Sequence, residues 1–154
     1  MIIYLVLSQH LLQHIIEFHY EATSQVNYWL KYLHNHNVKA GLVPNPKTPV
    51  SSLVTHLNYL DQILIMSVHP GFGGQSFLPD TPKRIKQVDQ LIKSNLSSIS
   101  IEVDGGVNDQ NIILAASAGC NIFVAGSYIF NTKDISSQIK KLDDLVNSTV
   151  MRTN

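Results

Sequence analysis

Three short segments combine glycine with groups that can handle an anion or a proton. His69-Pro70-Gly71-Phe72-Gly73-Gly74-Gln75-Ser76-Phe77 follows one apolar run, Asp104-Gly105-Gly106-Val107-Asn108 a second, and Gly126-Ser127 a third. Glycine after a strand lets backbone N–H groups approach an anion closely. A helix starting behind such a turn adds the positive end of its dipole. In α/β barrels the phosphate often lies between the loops after the last two strands. A phosphate between Asp104-Gly105-Gly106 and Gly126-Ser127 is therefore the chemistry that this spacing suits. Any one of these glycines could simply make a tight turn, but three successive strand ends of this kind favour the anion site. Asp104 brings a carboxylate that can carry a proton or bind a hard cation; its structural alternative is an N-cap for a helix beginning near Asn108.

The histidines form no comparable constellation. His19 ends the first expected strand and either faces the site or is a polar residue at the sheet's rim, the second being favoured. His10 and His14 precede that strand, while His34, His36 and His56 lie on or near expected helix ends and are read as solvated.

The elements that must position these groups alternate regularly. Apolar runs at 15–19, 39–43, 63–68, 99–103 and 122–125 read as parallel strands covered by helices. Between them, residues 22–36 place Val26, Trp29, Leu30 and Leu33 on one helical face, and 49–59 place Val50, Leu53, Val54 and Leu57 together. Residues 82–94 stack Ile85, Val88, Leu91 and Ile92, and 133–148 align Ile135, Ile139, Leu142 and Val146. Thr48 before Pro49 and Thr81 before Pro82 are the expected helix starts, and Asn108 and Gly119 the expected cap and stop of a short helix. Five βα units give an α/β fold with a parallel sheet. At 154 residues the chain is too short for a (β/α)8 barrel, which needs roughly 200 residues or more.

Hydrophobic residues make up 44% and charged residues 14%, a globular composition. Eleven basic and eleven acidic residues cancel, which leaves no electrostatic footprint for nucleic acid. The single Cys120 cannot form an internal disulfide, so a reducing, cytoplasmic setting is expected. The run at 1–7 lacks a basic leader and a cleavage site, and polar residues from Ser8 onward interrupt it, so neither a signal peptide nor a membrane span is read there. Residues 1–13 are read as a lead-in helix, 14–130 as the core of one domain covering 1–154, and 131–154 as its C-terminal helix.

The segments MSVHPGFGGQSF (66–77), IEVDGGV (101–107) and VAGSYIF (124–130) resemble the signature stretches of ribulose-phosphate 3-epimerases. FHYEA (18–22) and KAGLVPNPKTP (39–49) are similar to that family's fourth- and fifth-strand segments. The resemblance implies a partial TIM-type barrel comprising strands four to eight. It also implies interconversion of D-ribulose 5-phosphate and D-xylulose 5-phosphate by proton transfer at C3, with a divalent cation (Fe, Zn, Mn or Co) on the enediolate. Carried over residue by residue, Asp104 is a metal ligand and one member of the acid/base pair. Gly71, Phe72, Gly73 and Gly74 belong to a substrate-covering loop. Gly105, Gly106, Gly126 and Ser127 contact substrate or phosphate, and Met66 forms an apolar pocket wall or plain core.

The family's His-x-Asp-x-Met-Asp-Gly and His-Leu-Met stretches do not occur in this sequence. The resemblance therefore implies a truncated member without most metal ligands and without the opposing aspartate. Its partners are a phosphorylated ketose and, through exposed sheet edges, further copies of the chain; no nucleic acid or membrane is expected. Two alternatives stay open: a non-catalytic phosphate-binding half-barrel, and an epimerase of hexulose 6-phosphates.

Overall fold

The computed structural model describes residues 15–69 and 75–151. The expected lead-in helix and the loop residues Gly71, Phe72, Gly73 and Gly74 lie outside the described residues.

Five parallel strands lie side by side in chain order: β1 (Ile15–His19), β2 (Lys39–Val43), β3 (Gln62–Met66), β4 (Ser100–Asp104) and β5 (Ile122–Val124). The connections contain α1 (Val26–Asn35), a 3-10 segment (Val50–Tyr59), α2 (Thr81–Ser94) and α3 (Ile112–Ser117), and the chain closes with α4 (Gly126–Phe130) and α5 (Ile135–Val150). This is the expected α/β fold, a partial barrel of five βα units.

Strand alternation divides the sheet into two unlike faces. Ala40, Leu42, Ile63, Ile65, Ile101 and Val103 are buried in one core with Leu30, Leu53, Leu57, Ile85, Val88 and Ala115 from the helical layer. The opposite face takes the alternate residues, among them Glu17, Gln62, Met66, Glu102 and Asp104. The register sets Glu17 beside Gly41, Gly41 beside Gln62, and Met66 beside Asp104.

The bounds of β1 and β2 are those the sequence predicts, whereas β3 stops at Met66 rather than at Val68. Ser67 follows the strand's end, its N–H and hydroxyl both within bonding distance of the Asp104 carbonyl. The expected helix at 49–59 is instead a 3-10 segment, with Ser52 N–H bonded to the Pro49 carbonyl and Leu60 N–H to that of Leu57. Ser51, Ser52, Val54 and Thr55 are weak α-formers. Within it Leu53 and Leu57 are buried, while Val54 faces out, 44% exposed.

Three cap expectations need correction. Pro49, not Thr48, occupies the cap position, and the Thr48 hydroxyl donates to Glu21. Asp80 precedes α2, which begins at a buried Thr81 and has no side-chain cap. Asn108 accepts from the N–H groups of Gln110 and Asn111, making a turn ahead of α3. Gly119, at φ +111°, does stop that helix as expected. Trp29, Ile135 and Ile139, placed on buried faces by periodicity, are each at least 42% exposed. Trp29 packs edge-on to Tyr28 and Tyr32 on the outer side of α1.

Candidate active site

Asp104 is the last residue of β4, at the end of the sheet where strands of this kind carry their sites. It is half-buried, and burial raises its pKa, with the Gly105 N–H, bonded to the carboxylate, pulling in the opposite direction. It does not cap a helix: α3 begins only at Ile112. Met66 lies next to it in register at the end of β3.

The turn after Asp104 can only be built from glycine. Gly105 has φ +121° and an added Cβ would stand 2.6 Å from a Val68 methyl. Gly106 has φ +62° and its added Cβ would stand 2.7 Å from the Gln75 carbonyl oxygen and 2.8 Å from the Phe77 nitrogen. The stem of the 68–77 loop therefore rests directly on this turn.

A cavity of about 540 Å³ opens beside it, lined by Gln75, Ser76, Gly106, Asn108, Asn111, Ser127, Tyr128, Asn131, Thr132 and Gln138, with Phe77 and Val107 as its apolar part. None of these side chains is a lysine or an arginine. Gly106 and Ser127 thus line one cavity, while Gly105 and Gly126 sit next to lining residues rather than among them. Gly126 opens α4, and a Cβ there would meet nothing within 4 Å. Asn111 helps to shape the wall: its amide donates to the Gly106 carbonyl at 2.9 Å, and its oxygen accepts from Asn108 N–H at 2.9 Å.

Below Asp104 lies a polar network to which the motifs contribute only Glu102. The Gln62 amide donates to Glu17 at 3.0 Å and also to Glu102. Burial pushes Glu17 up to about 6, with the Gln62 hydrogen bond opposing and the Asp104 charge adding to the rise. Burial and the charges of Glu17 and Asp104 push Glu102 up to about 7. Part of the signal for this network was present in the sequence, since a glutamate sits inside each of two largely apolar runs and Glu102 is two residues from Asp104 on the same strand face.

A second network shapes the loop after β2. Arg84 donates to the carbonyls of Pro46 at 3.0 Å, Asn45 at 2.8 Å and Thr48 at 2.8 Å. Glu21 receives the Asn45 N–H at 3.0 Å and the Thr48 hydroxyl. Those hydrogen bonds hold Glu21 below the usual carboxylate range against the opposing effect of desolvation.

The histidines take structural places. His19 is exposed at the end of β1. His34 pairs with Asp61 at 2.9 Å and His36 with the Tyr32 carbonyl at 2.8 Å. His56, expected to be solvated, is half-buried; it bonds Asn27 at 2.6 Å and meets the Tyr20 ring edge-on. Burial lowers its pKa. Among the described residues no three His, Cys, Asp or Glu side chains come together in a way that could hold a metal ion. Asp104 is the expected ligand, and the described donors around it do not by themselves fit a divalent cation, which usually takes three or four.

Residues 5–130 match the model of the ribulose-phosphate 3-epimerase family. The chain belongs to this family. It is 48% identical over 119 residues to a ribulose-phosphate 3-epimerase of Serratia marcescens and 46% identical over 128 residues to that of Escherichia coli K12. These alignments cover 77% and 83% of the chain, and the chain spans 57% of the length of each relative. Among solved structures, KGPDC from Streptococcus mutans superposes with a TM-score of 0.62 at 11% identity, covering 88% of this chain and 61% of that one. The tryptophan synthase of Mycobacterium tuberculosis gives 0.54 at 16% identity, covering 84% and 48%. At these identities the structural likeness concerns the fold alone. The epimerase relatives are isomerases by name, and no helix among the described residues is long and apolar enough to cross a membrane.

Proposed function

We propose that this epimerase-family chain binds a phosphorylated ketose across the Gly106–Ser127 cavity, with Asp104 as one of two acid/base groups at C3. The observation that carries this reading is the placement of Asp104 two residues from Gly106, a wall of that cavity. A sugar phosphate seated there extends back toward the strand end where the carboxylate stands. Glycine turns and neutral donors suit the phosphate, which needs N–H and O–H groups more than a fixed cation.

The proposed reaction interconverts D-ribulose 5-phosphate and D-xylulose 5-phosphate. A proton leaves C3 to give a 2,3-enediolate, and a proton returned to the opposite face gives the epimer. Asp104 handles the proton on one face, and the raised carboxyl pKa brings it closer to the range where such a group both takes and returns a proton. The opposing group belongs to a family motif that this sequence does not contain. No step is assigned to a metal, because the described donors do not fit one.

One observation favours a second reading, a phosphate-binding half-barrel without turnover: neutral donors line the cavity, while among the described residues Asp104 belongs to no group of three metal-ligating side chains. An assay coupled to xylulose 5-phosphate consumption, run with Fe²⁺, Zn²⁺ or Mn²⁺, separates the two. Turnover lost in Asp104→Asn supports the epimerase. Phosphate binding without turnover supports the second reading.

A further inference from the structure

Ser67 is fully buried directly behind β3, outside every motif contact expected from the sequence. Its hydroxyl lies 2.8 Å from the Asp104 carbonyl oxygen and 2.5 Å from that of Gly105. Its own N–H donates to the same Asp104 carbonyl at 2.8 Å. Its carbonyl accepts the Leu78 N–H at 2.7 Å, which closes the stem of the 68–77 loop.

The consequence follows from peptide geometry. The Asp104 carbonyl and the Gly105 N–H belong to one planar unit and point in opposite directions. Ser67 holds the carbonyl end with its N–H, and its hydroxyl lies within bonding distance of the same carbonyl and of the next one. The N–H end acts on the Asp104 carboxylate, whose pKa it lowers. Rotation of that plane would swing the Gly105 N–H away from the carboxylate, and with glycine at φ +121° nothing in residue 105 itself resists the rotation. A serine hydroxyl has one hydrogen, so it serves one of the two carbonyls at a time, and either bond ties the backbone on one side or the other of Gly105 to Ser67.

We propose that Ser67 is a positioning residue: its buried hydroxyl locks the Asp104–Gly105 peptide and thereby aims the Asp104 carboxylate. The same residue ties that peptide to the loop stem through Leu78. The role in turnover rests on the epimerase reading above, whereas the locking of the peptide does not.

The test uses the full chain with Ser67→Ala, which removes the oxygen, and Ser67→Cys, which keeps the volume but donates poorly. The first readout is the ¹H–¹⁵N resonance and hydrogen exchange of the Gly105 amide, assigned with Asp104→Asn. Both variants are expected to shift this resonance and to speed its exchange roughly tenfold, the loss of about one net hydrogen bond. An unmoved Gly105 amide in Ser67→Ala overturns the proposal, as does a parental Gly105 amide in Ser67→Cys, because the side chain would then only fill space. Should Ser67→Ala not fold, Ser67→Cys decides alone. The second readout is turnover, where kcat should fall roughly ten- to hundredfold with KM within about a factor of two. A parent chain without turnover counts against the epimerase reading, and the Gly105 amide still decides on Ser67.

Discussion

Glu17 of β1 and Glu102 of β4, separated by two intervening strands, are joined through a single side-chain amide, that of Gln62 on β3. A glutamine amide has two N–H bonds, one for each carboxylate. The link requires Glu17 to reach across β2, and it does so over Gly41, where an added Cβ would stand 2.7 Å from the Glu17 Cγ. The inner face of the sheet is thus cross-tied beneath Asp104 by a polar network, while the helix-covered face is held by apolar packing.

This pair makes stability depend on pH. Both carboxyls hold their proton more tightly folded, at about 6 and about 7, than at their ordinary 4.5. Folding is favoured by this effect at the acid end of that window and loses the favour as pH rises from 4.5 toward 7. Glu17→Gln removes one charge from the pair, keeps an acceptor for Gln62, and should raise the melting temperature at pH 8 by roughly 3–6 °C while flattening its pH dependence. Thermal melts between pH 5 and 8 check this; a variant with the parental slope would show that the pair is not the source.

Gly41→Ala should cost about 1–3 kcal/mol through overpacking against Glu17. The cost arises from one identified side chain, so shortening it in Glu17→Ala/Gly41→Ala should recover part of the loss. Urea denaturation of the two single variants and the double variant measures the coupling. Strict additivity would contradict the contact.

Gly106→Ala places its methyl against the backbone of the 75–77 segment in a left-handed conformation. The expected result is a loss of at least about 2 kcal/mol of stability, from the strained conformation together with the clash. Inorganic phosphate binding, read by NMR shifts of the Ser127 and Asn111 amides, should be abolished. Gly126→Ala, with open space around its Cβ, should leave stability within about 0.5 kcal/mol.

Arg84→Lys should destabilise the chain by about 1–2 kcal/mol, because an ammonium cannot reproduce a planar fork that bonds three carbonyls at once. Faster amide exchange at Asn45 and Thr48 would place the loss in the loop after β2.

The sheet was legible because parallel strands covered by helices read as apolar runs, and Lys39–Val43 and Ile63–Ile65 are of that kind. The glycine turns were legible because Gly105 and Gly106 take conformations that other residues rarely adopt. The two glutamates of the Gln62 network were visible in the strands, but their link was not, since it depends on register: Glu17 reaches Gln62 across β2 where that strand presents Gly41. Ser67 was hidden for a similar reason, its partners lying 37 and 38 residues ahead in sequence. Periodicity placed Val54 with Leu53 and Leu57, but only the two leucines of this 3-10 segment are buried. It misplaced Trp29 because the aromatic residues of α1 pack on one another along its outer side.

The central claim is that Asp104 moves a proton at C3 of a bound pentulose phosphate. Its most direct measurement is exchange of the C3 hydrogen of D-ribulose 5-phosphate with deuterated solvent, followed by NMR in the presence of the full chain and divalent metal. The account predicts exchange catalysed by the parent chain and reduced at least about 10²-fold in Asp104→Asn, with phosphate affinity unchanged. Exchange that persists at the parental rate in Asp104→Asn, or a parent chain that binds phosphate and exchanges nothing, would contradict it.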